Sequence, residues 1–377
     1  MGWKRAAVAL MAAGITLTSA ACADDEPAEP ASRQVENPSA VRLGAVQLAV
    51  DSAGHGWVLD LGPGTSGQVV DVYEMDGADF ASAPAPEPMR VAEAVGVDGR
   101  LVISGSRCVD AEDQSDTCNA VGEVRVLDDG SWQSYSFESD PGDPMQNTVT
   151  IMGAGPSPAT VWLKVGFSPD GSNDGAIRAV LFDVDKMRPV EWTEPSPALG
   201  ATCLMDGSLV DYNASRVLPP SATPGQVPGV DDPLPVTYQV FTYRKSGWEP
   251  AANGSWTGER ARVEDLHCTP YGLSTSNLGS PTPVLGWTPD GGWTVTAPQL
   301  DTGARGGPPA ALVTGQPLTF VDGRSWVEQQ PGTWVPLPTD DATGATAAVA
   351  ISGNHVATCP GRGHPPLLSA CTVRKLQ

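Results

Sequence analysis

The chain has 377 residues, 44 acidic against 22 basic side chains and a formal net charge of −22. With 40% hydrophobic residues it is too apolar for a disordered chain, and it is too long for a disulfide-stapled miniprotein. The acidic balance argues against nucleic acid as a partner, because phosphate backbones are bound through clustered Lys and Arg.

The pattern of the first 21 residues predicts an export signal. Lys4 and Arg5 are followed by an apolar run from Ala6 to Leu17 and then by small residues up to Ala21. The apolar run is too short to span a bilayer, and no later run reaches about 18 uninterrupted apolar residues. We therefore expect an exported chain without a transmembrane helix.

Cys22 follows the small residues directly and is the predicted lipidation site. This arrangement resembles a bacterial lipoprotein signal, although Ser19 stands where an aliphatic residue is usual. Residues 22–34 form an acidic, Pro-containing tether, and the Ala-, Gly-, Pro- and Asp-rich style resembles that of actinobacterial secreted proteins. The resemblance implies a lipid anchor at the extracytoplasmic face of the cell membrane. Ordinary secretion, with cleavage after Ala21 or Ala23, is the alternative.

Residues 35–377 repeat one hairpin, in which a strand reaches a turn and an aromatic residue opens the next strand. The repeat recurs about every 50 residues. The copies are Val72–Phe80, Val124–Trp132, Leu181–Trp192, Phe241–Trp248, Leu285–Trp293 and Val327–Trp334. Helical periodicity is nearly absent, so these runs predict strands and tight turns.

A small-residue strand and a second strand precede each hairpin, which gives about four strands per repeat. Repeats begin near Val46, Val91, Thr148, Gly200, Val263, Ala310 and Ala347. This pattern predicts an all-β, seven-bladed β-propeller with four-stranded blades in a single domain. The last repeat is short, so we expect an N-terminal strand within residues 35–43 to close the ring. A pair of β-sandwiches is the rival fold, but it explains neither the period nor the short last repeat.

The register of the repeats selects three disulfides among the seven cysteines. Cys203 and Cys268 occupy equivalent positions on the first strands of adjacent repeats, and an inter-blade bond is expected there. Cys108 and Cys118 flank one strand connection, and Cys359 and Cys371 flank the equivalent connection in the last repeat. Three disulfides suit an oxidising, exported location.

Few residues carry a chemical signature. His55 and His355 lie in the first turns of repeats one and seven, where ring closure would make them neighbours. We interpret them as unrelated exposed turn residues; the alternative is a shared zinc ion with Asp51 as third ligand. No other metal site and no cofactor is expected.

Two loops and one turn carry weaker resemblances to known sites. Asp170–Gly175 resembles half of a calcium loop, but an Asp/Gly turn is the better interpretation, as Leu181 replaces the final acid. The acids between Cys108 and Cys118 are interpreted as a solvated loop. Thr288–Trp293 is similar to the Asp-box turn of sialidase-like propellers.

These observations favour an envelope-tethered binding or scaffold protein without enzymatic activity. Its partner would be an envelope protein or a glycan, and its membrane contact only the lipid on Cys22. The alternatives are a glycan-directed hydrolase of sialidase-like type and a purely structural envelope protein. The Trp residues, spaced once per repeat, are interpreted as blade packing rather than as sugar platforms.

Overall fold

We analysed a computed structural model of the chain. The structure describes residues 33–62, 67–77, 79–108, 120–137, 146–168, 177–194, 201–205, 207–216, 236–244, 247–256, 266–275, 284–296, 310–311, 317–321, 324–337, 346–360 and 366–376. Within these residues no helix has the length and hydrophobicity needed to span a membrane. The predicted signal and Cys22 lie outside them.

The described residues form seven antiparallel sheets, each of which is one blade. Blade 1 contains β1 (Arg33–Gln34), β2 (Val46–Val50), β3 (Gly56–Asp60), β4 (Asp71–Asp76) and β5 (Asp79–Ala83). Blade 2 contains β6 (Arg90–Val97), β7 (Arg100–Cys108), β8 (Ala120–Asp128) and β9 (Ser131–Ser136). Blade 3 contains β10 (Gln146–Ala154), β11 (Thr160–Ser168), β12 (Ile177–Asp183) and β13 (Arg188–Trp192).

The second half of the chain repeats this order. Blade 4 contains β14 (Ala201–Met205), β15 (Ser208–Arg216), β16 (Val236–Arg244) and β17 (Gly247–Trp256). Blade 5 contains β18 (His267–Thr269), β19 (Gly272–Ser274), β20 (Val284–Thr288) and β21 (Gly292–Thr296). Blade 6 contains β22 (Ala310–Ala311), β23 (Pro317–Val321), β24 (Arg324–Gln330) and β25 (Thr333–Pro336). Blade 7 contains β26 (Thr346–Ser352), β27 (His355–Pro360) and β28 (Thr372–Lys375), and short 3-10 turns occur at Pro38–Ala40 and Leu368–Ala370.

The predicted seven-bladed β-propeller is confirmed. Consecutive blades share buried apolar clusters, such as the one that joins Val95 and Val126 of blade 2 to Ile151 and Val161 of blade 3. The first strands of neighbouring blades contact one another, as β2 does with β6 and β26, and they therefore line the axis of the ring. The turns after these first strands and those before the last strands lie together on one face, which we call the turn face.

The predicted closure by an N-terminal fourth strand in blade 7 is not confirmed. β1 instead pairs with β5, which makes blade 1 five-stranded, while blade 7 has three strands in the part of the chain described. The N-terminal segment still reaches blade 7: the Leu43 N–H donates to Pro366 O, and the Leu368 N–H donates to Val41 O. A buried cluster containing Leu43, Leu48 and Leu368 seals this junction.

Two of the predicted disulfides are present. Cys203–Cys268 links the first strands of blades 4 and 5 with a Cα–Cα distance of 6.4 Å, and Cys359–Cys371 lies within blade 7. Cys108 at the end of β7 is disulfide-bonded. Its predicted partner, Cys118, lies outside the described residues, so that pairing stays a prediction.

Candidate functional site

The first turns of blades 1 and 7 are neighbours on the turn face, as the repeat register predicts. The ring of His355 lies against the backbone of Gly54, because a Cβ at Gly54 would lie 2.9 Å from His355 Cδ2. His355 Nδ1 is 3.1 Å from Ser52 O, and His55 Nδ1 is 2.9 Å from Asp51 Oδ2. The two imidazoles thus have separate partners in adjacent turns.

Asp51 organises these turns rather than facing an open ligand position. Its Oδ1 accepts the N–H groups of Ala53, Gly54 and His55 at 2.8–2.9 Å, and its Oδ2 accepts the N–H of Gly99 in blade 2 at 2.9 Å. Burial acts to raise the Asp51 pKa, but the hydrogen bonds from His55 and Gly99 outweigh it and hold the pKa below its usual value. Among the described residues, no group of three His, Cys, Asp or Glu side chains is placed to hold a metal ion.

At two of the repeated hairpins the Trp residue bonds to the preceding blade. The indole N–H of Trp132 donates to Pro84 O at 2.7 Å, and that of Trp248 donates to Glu194 O at 3.1 Å. Each acceptor lies just after the last strand of the preceding blade. Two equivalent Trp residues therefore fasten their blades to the ring, in agreement with the packing interpretation.

Two other candidate loops cannot be placed. The half calcium loop Asp170–Gly175 and the acids between Cys108 and Cys118 lie outside the described residues. The Asp-box-like segment forms the turn between β20 and β21, where the Gly291 N–H donates to Thr288 Oγ1 at 3.0 Å. This turn borders the larger of the two cavities described below.

A cavity of about 490 Å³ opens on the turn face between blades 4 and 5, next to the last turn of blade 6. We call it the Tyr271 pocket, after the aromatic side chain that is 53% exposed at its rim. Its size falls within the range of about 300–1,000 Å³ that is typical of small-molecule sites. The turn of Tyr271 is held by Thr269, whose Oγ1 accepts the Tyr271 N–H at 3.3 Å and donates to Gly272 O at 3.1 Å.

Tyr243 forms the buried base of the Tyr271 pocket. Its ring lies edge-on between Trp162 and Trp248, and its hydroxyl donates to Glu191 Oε1 at 3.1 Å. Burial, together with this hydrogen bond and the negative charge of Glu191, raises the pKa of Tyr243 to about 12. Tyr243 therefore stays a neutral phenol at physiological pH.

The rim of the Tyr271 pocket carries three planar polar groups. Arg244 ends β16, Asp290 lies in the β20–β21 turn and Gln330 ends β24. All three are exposed, and Arg244 forms no ion pair with any residue that the structure describes. The rim thus offers the N–H donors of a guanidinium, the two acceptor oxygens of a carboxylate, and an amide that can donate and accept hydrogen bonds.

A second cavity, of about 400 Å³, lies between blades 1 and 2 on the same face. We call it the His55 pocket. Its base is apolar, with Trp57 and Phe80, and its rim is acidic, with Glu74 and Asp76. Burial raises the pKa of Glu74, and the nearby charge of His55 acts against this.

No family model and no curated protein matches the chain. Among solved structures, virginiamycin B lyase from Staphylococcus aureus is 12% identical, with a TM-score of 0.39 over 89% of this chain and 98% of that one. The Dos1 propeller is 12% identical, with a TM-score of 0.37 over 87% and 76%. BamB from Moraxella catarrhalis is 11% identical, with a TM-score of 0.35 over 89% and 86%. At such identities the similarity concerns the fold alone.

Sequence reasoning missed Tyr271 and Arg244. Arg244 is the last residue of β16, and Tyr271 lies between the short strands β18 and β19. In a sequence, large side chains next to apolar strands are usually interpreted as packing residues. The one local signal is that Tyr271 lies between Pro270 and Gly272, two residue types that are typical of turns. The sequence singles out Asp290 only as part of the Asp-box-like turn, and not as a residue of a binding pocket.

Proposed function

We propose that the chain is a non-enzymatic binding and scaffold protein of the cell envelope, held at the membrane by a lipid on Cys22. The observation that carries the binding role is the Tyr271 pocket, which combines an exposed aromatic with polar rim groups on a rigid ring. Such a pocket provides recognition surface without a positioned nucleophile and base. The two disulfides support an exported, oxidising location.

One observation favours the alternative function, a glycan-directed hydrolase of sialidase-like type: Tyr243 and Glu191 form a hydrogen-bonded pair next to Arg244. Sialidase-like catalysis would need a Tyr activated for attack, together with a cluster of arginines. Tyr243 is instead only 8% exposed, and its ring is packed between Trp162 and Trp248, so its hydroxyl is poorly placed to meet a substrate. Arg244 is the one arginine among the described residues that line the pocket. These features favour binding over glycan hydrolysis.

A direct assay separates the two functions. The full chain is incubated with 4-methylumbelliferyl glycosides, including the α-sialoside and the β-N-acetylglucosaminide. We expect no fluorophore release above a protein-free blank. Turnover that disappears in the Glu191→Gln variant would overturn the non-enzymatic proposal.

The lipid anchor is tested by fractionation of an actinobacterial expression host. We expect the wild type in the membrane fraction and the Cys22→Ser variant in the medium. Mass spectrometry of the wild-type N-terminus should identify a diacylglyceryl-modified Cys22. A fully soluble wild type that begins after Ala21 or Ala23 would overturn this part of the proposal.

A further inference from the structure

Tyr271 lies in the turn between β18 and β19, at the rim of the cavity, and its side chain is largely exposed. The backbone of this turn is fixed by the two hydrogen bonds of the Thr269 hydroxyl, so the point from which the ring projects is set. A large aromatic that remains 53% exposed on a rigid turn leaves apolar surface in water. This is the arrangement of a contact platform rather than of a core residue.

The walls of the Tyr271 pocket are preformed. Pro270 and Pro289 lie in the two turns of blade 5, and Pro331 projects from blade 6. Pro331 packs tightly on Gly286, because a Cβ at Gly286 would lie 2.9 Å from Pro331 Cβ. Proline backbones have little freedom to lose, so a ligand would pay little ordering entropy on binding.

The polar rim is balanced in charge. Arg244 supplies paired N–H donors, Asp290 paired acceptors and Gln330 one of each kind. These planar groups match vicinal hydroxyls, which donate and accept at a fixed separation. One positive and one negative group together favour a neutral, hydroxyl-rich ligand over a strongly charged one.

The His55 pocket differs in this respect. Glu74, Asp76 and Asp79 give its rim an excess of acceptors, and its aromatic residues Trp57 and Phe80 are buried. It therefore lacks an exposed aromatic platform, and its three carboxylates outnumber the side-chain donors Gln34 and His55. The Tyr271 pocket is the better candidate for a sugar.

We propose that the Tyr271 pocket binds a neutral pyranose unit of an envelope glycan. The apolar face of the sugar lies against the ring of Tyr271, and its hydroxyls bond to Arg244, Asp290 and Gln330. This inference rests on the proposed binding function and specifies the class of ligand.

The test is saturation-transfer NMR and calorimetry on the full chain, with glucose, galactose, mannose, N-acetylglucosamine and the β-1,4 disaccharide of N-acetylglucosamine as probes. N-Acetylneuraminic acid is the charged comparator. We expect millimolar or tighter binding of at least one neutral pyranose and weaker binding of the charged sugar. No neutral probe bound at 10 mM, or binding of the charged sugar alone, would overturn the inference.

Variants locate the site. Tyr271→Ala should weaken binding at least tenfold, Tyr271→Phe should retain it within about threefold because the ring face is kept, and Arg244→Gln should weaken it several-fold. Trp192→Ala removes another exposed aromatic, in blade 3, and should leave binding unchanged. Circular dichroism and melting temperature verify that each variant is folded.

The outcomes separate the two proposals. Sugar binding that survives Tyr271→Ala would overturn the assignment to this pocket. Failure of every neutral sugar, with no glycosidase turnover and intact membrane attachment, would overturn the pyranose inference and leave the envelope binding function standing. Glycosidase turnover would overturn the non-enzymatic function whatever the result with the sugars.

Discussion

Two junctions of the ring are secured by different means. Blades 4 and 5 are consecutive in sequence and are joined covalently by Cys203–Cys268, with an added hydrogen bond from the Tyr212 hydroxyl to Leu266 O. Blades 7 and 1 are neighbours in space but come from opposite ends of the domain sequence. No disulfide joins them among the described cysteines. They are held by buried leucines and by backbone hydrogen bonds between residues 41–43 and 366–368.

The two junctions also differ in the length of chain that they enclose. A bond between blades 4 and 5 closes a loop of intermediate length, whereas the closing junction must bring together segments more than 300 residues apart. Cys359–Cys371 contributes to the closing junction indirectly. It ties down the connection that carries Leu368, whose side chain lies in the sealing cluster.

The largest expected effect is the loss of the inter-blade disulfide. Cys203 and Cys268 are 65 residues apart, so the chain-entropy model gives about 4 kcal/mol for the Cys203→Ser/Cys268→Ser variant. Cys359 and Cys371 are 12 apart, which gives about 3 kcal/mol for the equivalent double variant. Urea unfolding of both variants measures the difference. An equal or larger loss from the blade 7 pair would show that the closing junction depends on its disulfide more than loop length predicts.

The closing junction is probed by Leu368→Ala. Leu368 is fully buried, and truncation of a buried leucine costs about 2–5 kcal/mol because a cavity is left. Leu367→Ala is the matched control, since this neighbour is 38% exposed and should lose less than about 1 kcal/mol. Similar unfolding midpoints for the two variants would contradict the packing role of Leu368.

The junction between blades 5 and 6 differs from the other two because it is held by a buried carboxylate. The fully buried carboxylate of Glu328 meets His267 Nε2 at 2.6 Å and accepts from Ser274 Oγ at 2.7 Å and from the Gly332 N–H at 2.6 Å. Glu328→Gln removes the negative charge and one acceptor oxygen from this buried junction, and we expect a loss of about 2–3 kcal/mol. Exposed Glu249→Gln is the control. A melting temperature within 1 °C of the wild type would contradict this role.

The smallest effect is a pH dependence between blades 1 and 2. Burial raises the pKa of Glu93 from 4.5 to about 7, although the side-chain hydrogen bond from Gln47 acts to lower it. The folded chain therefore holds this proton more tightly than the unfolded chain, and the resulting stabilisation, complete below about pH 4.5, is lost as the pH rises through about 7. Glu93→Gln should gain in stability relative to the wild type from pH 5 to pH 8, measured by urea unfolding. A constant difference across this range would refute the assignment.

The fold was readable from the sequence because its signals are local and periodic. Gly and Asp turns and one aromatic per hairpin mark each blade, and the shared register places Cys203 beside Cys268. The role of β1 was not readable, since two residues carry no periodic signal and their pairing with β5 depends on the packed blade. The role of Asp51 was not readable either. A carboxylate three residues before a glycine, as Asp51 is before Gly54, suits a metal site and a turn equally well, and only its backbone partners distinguish the two.

The candidate site was less predictable for a related reason. The Tyr271 pocket is built from turns of three blades, and the exposure of Tyr271 depends on how those turns meet. A single sequence specifies each turn but not the space between turns. The same limit applies to Arg244, which is the last residue of a strand with buried neighbours.

The reach of Asp51 across to blade 2 has a consequence for how the ring folds. The Gly99 amide of blade 2 is satisfied by a side chain of blade 1, and the Ile151 amide of blade 3 by Ser104 Oγ of blade 2. A blade that formed alone would leave such amides without their protein acceptors, so each blade completes its hydrogen bonding only when its neighbour is in place. Repeat arrays often fold segment by segment, with stability passed between nearest neighbours. Here the shared amides couple adjacent blades, and their slow hydrogen exchange would report opening of the junctions rather than of single blades.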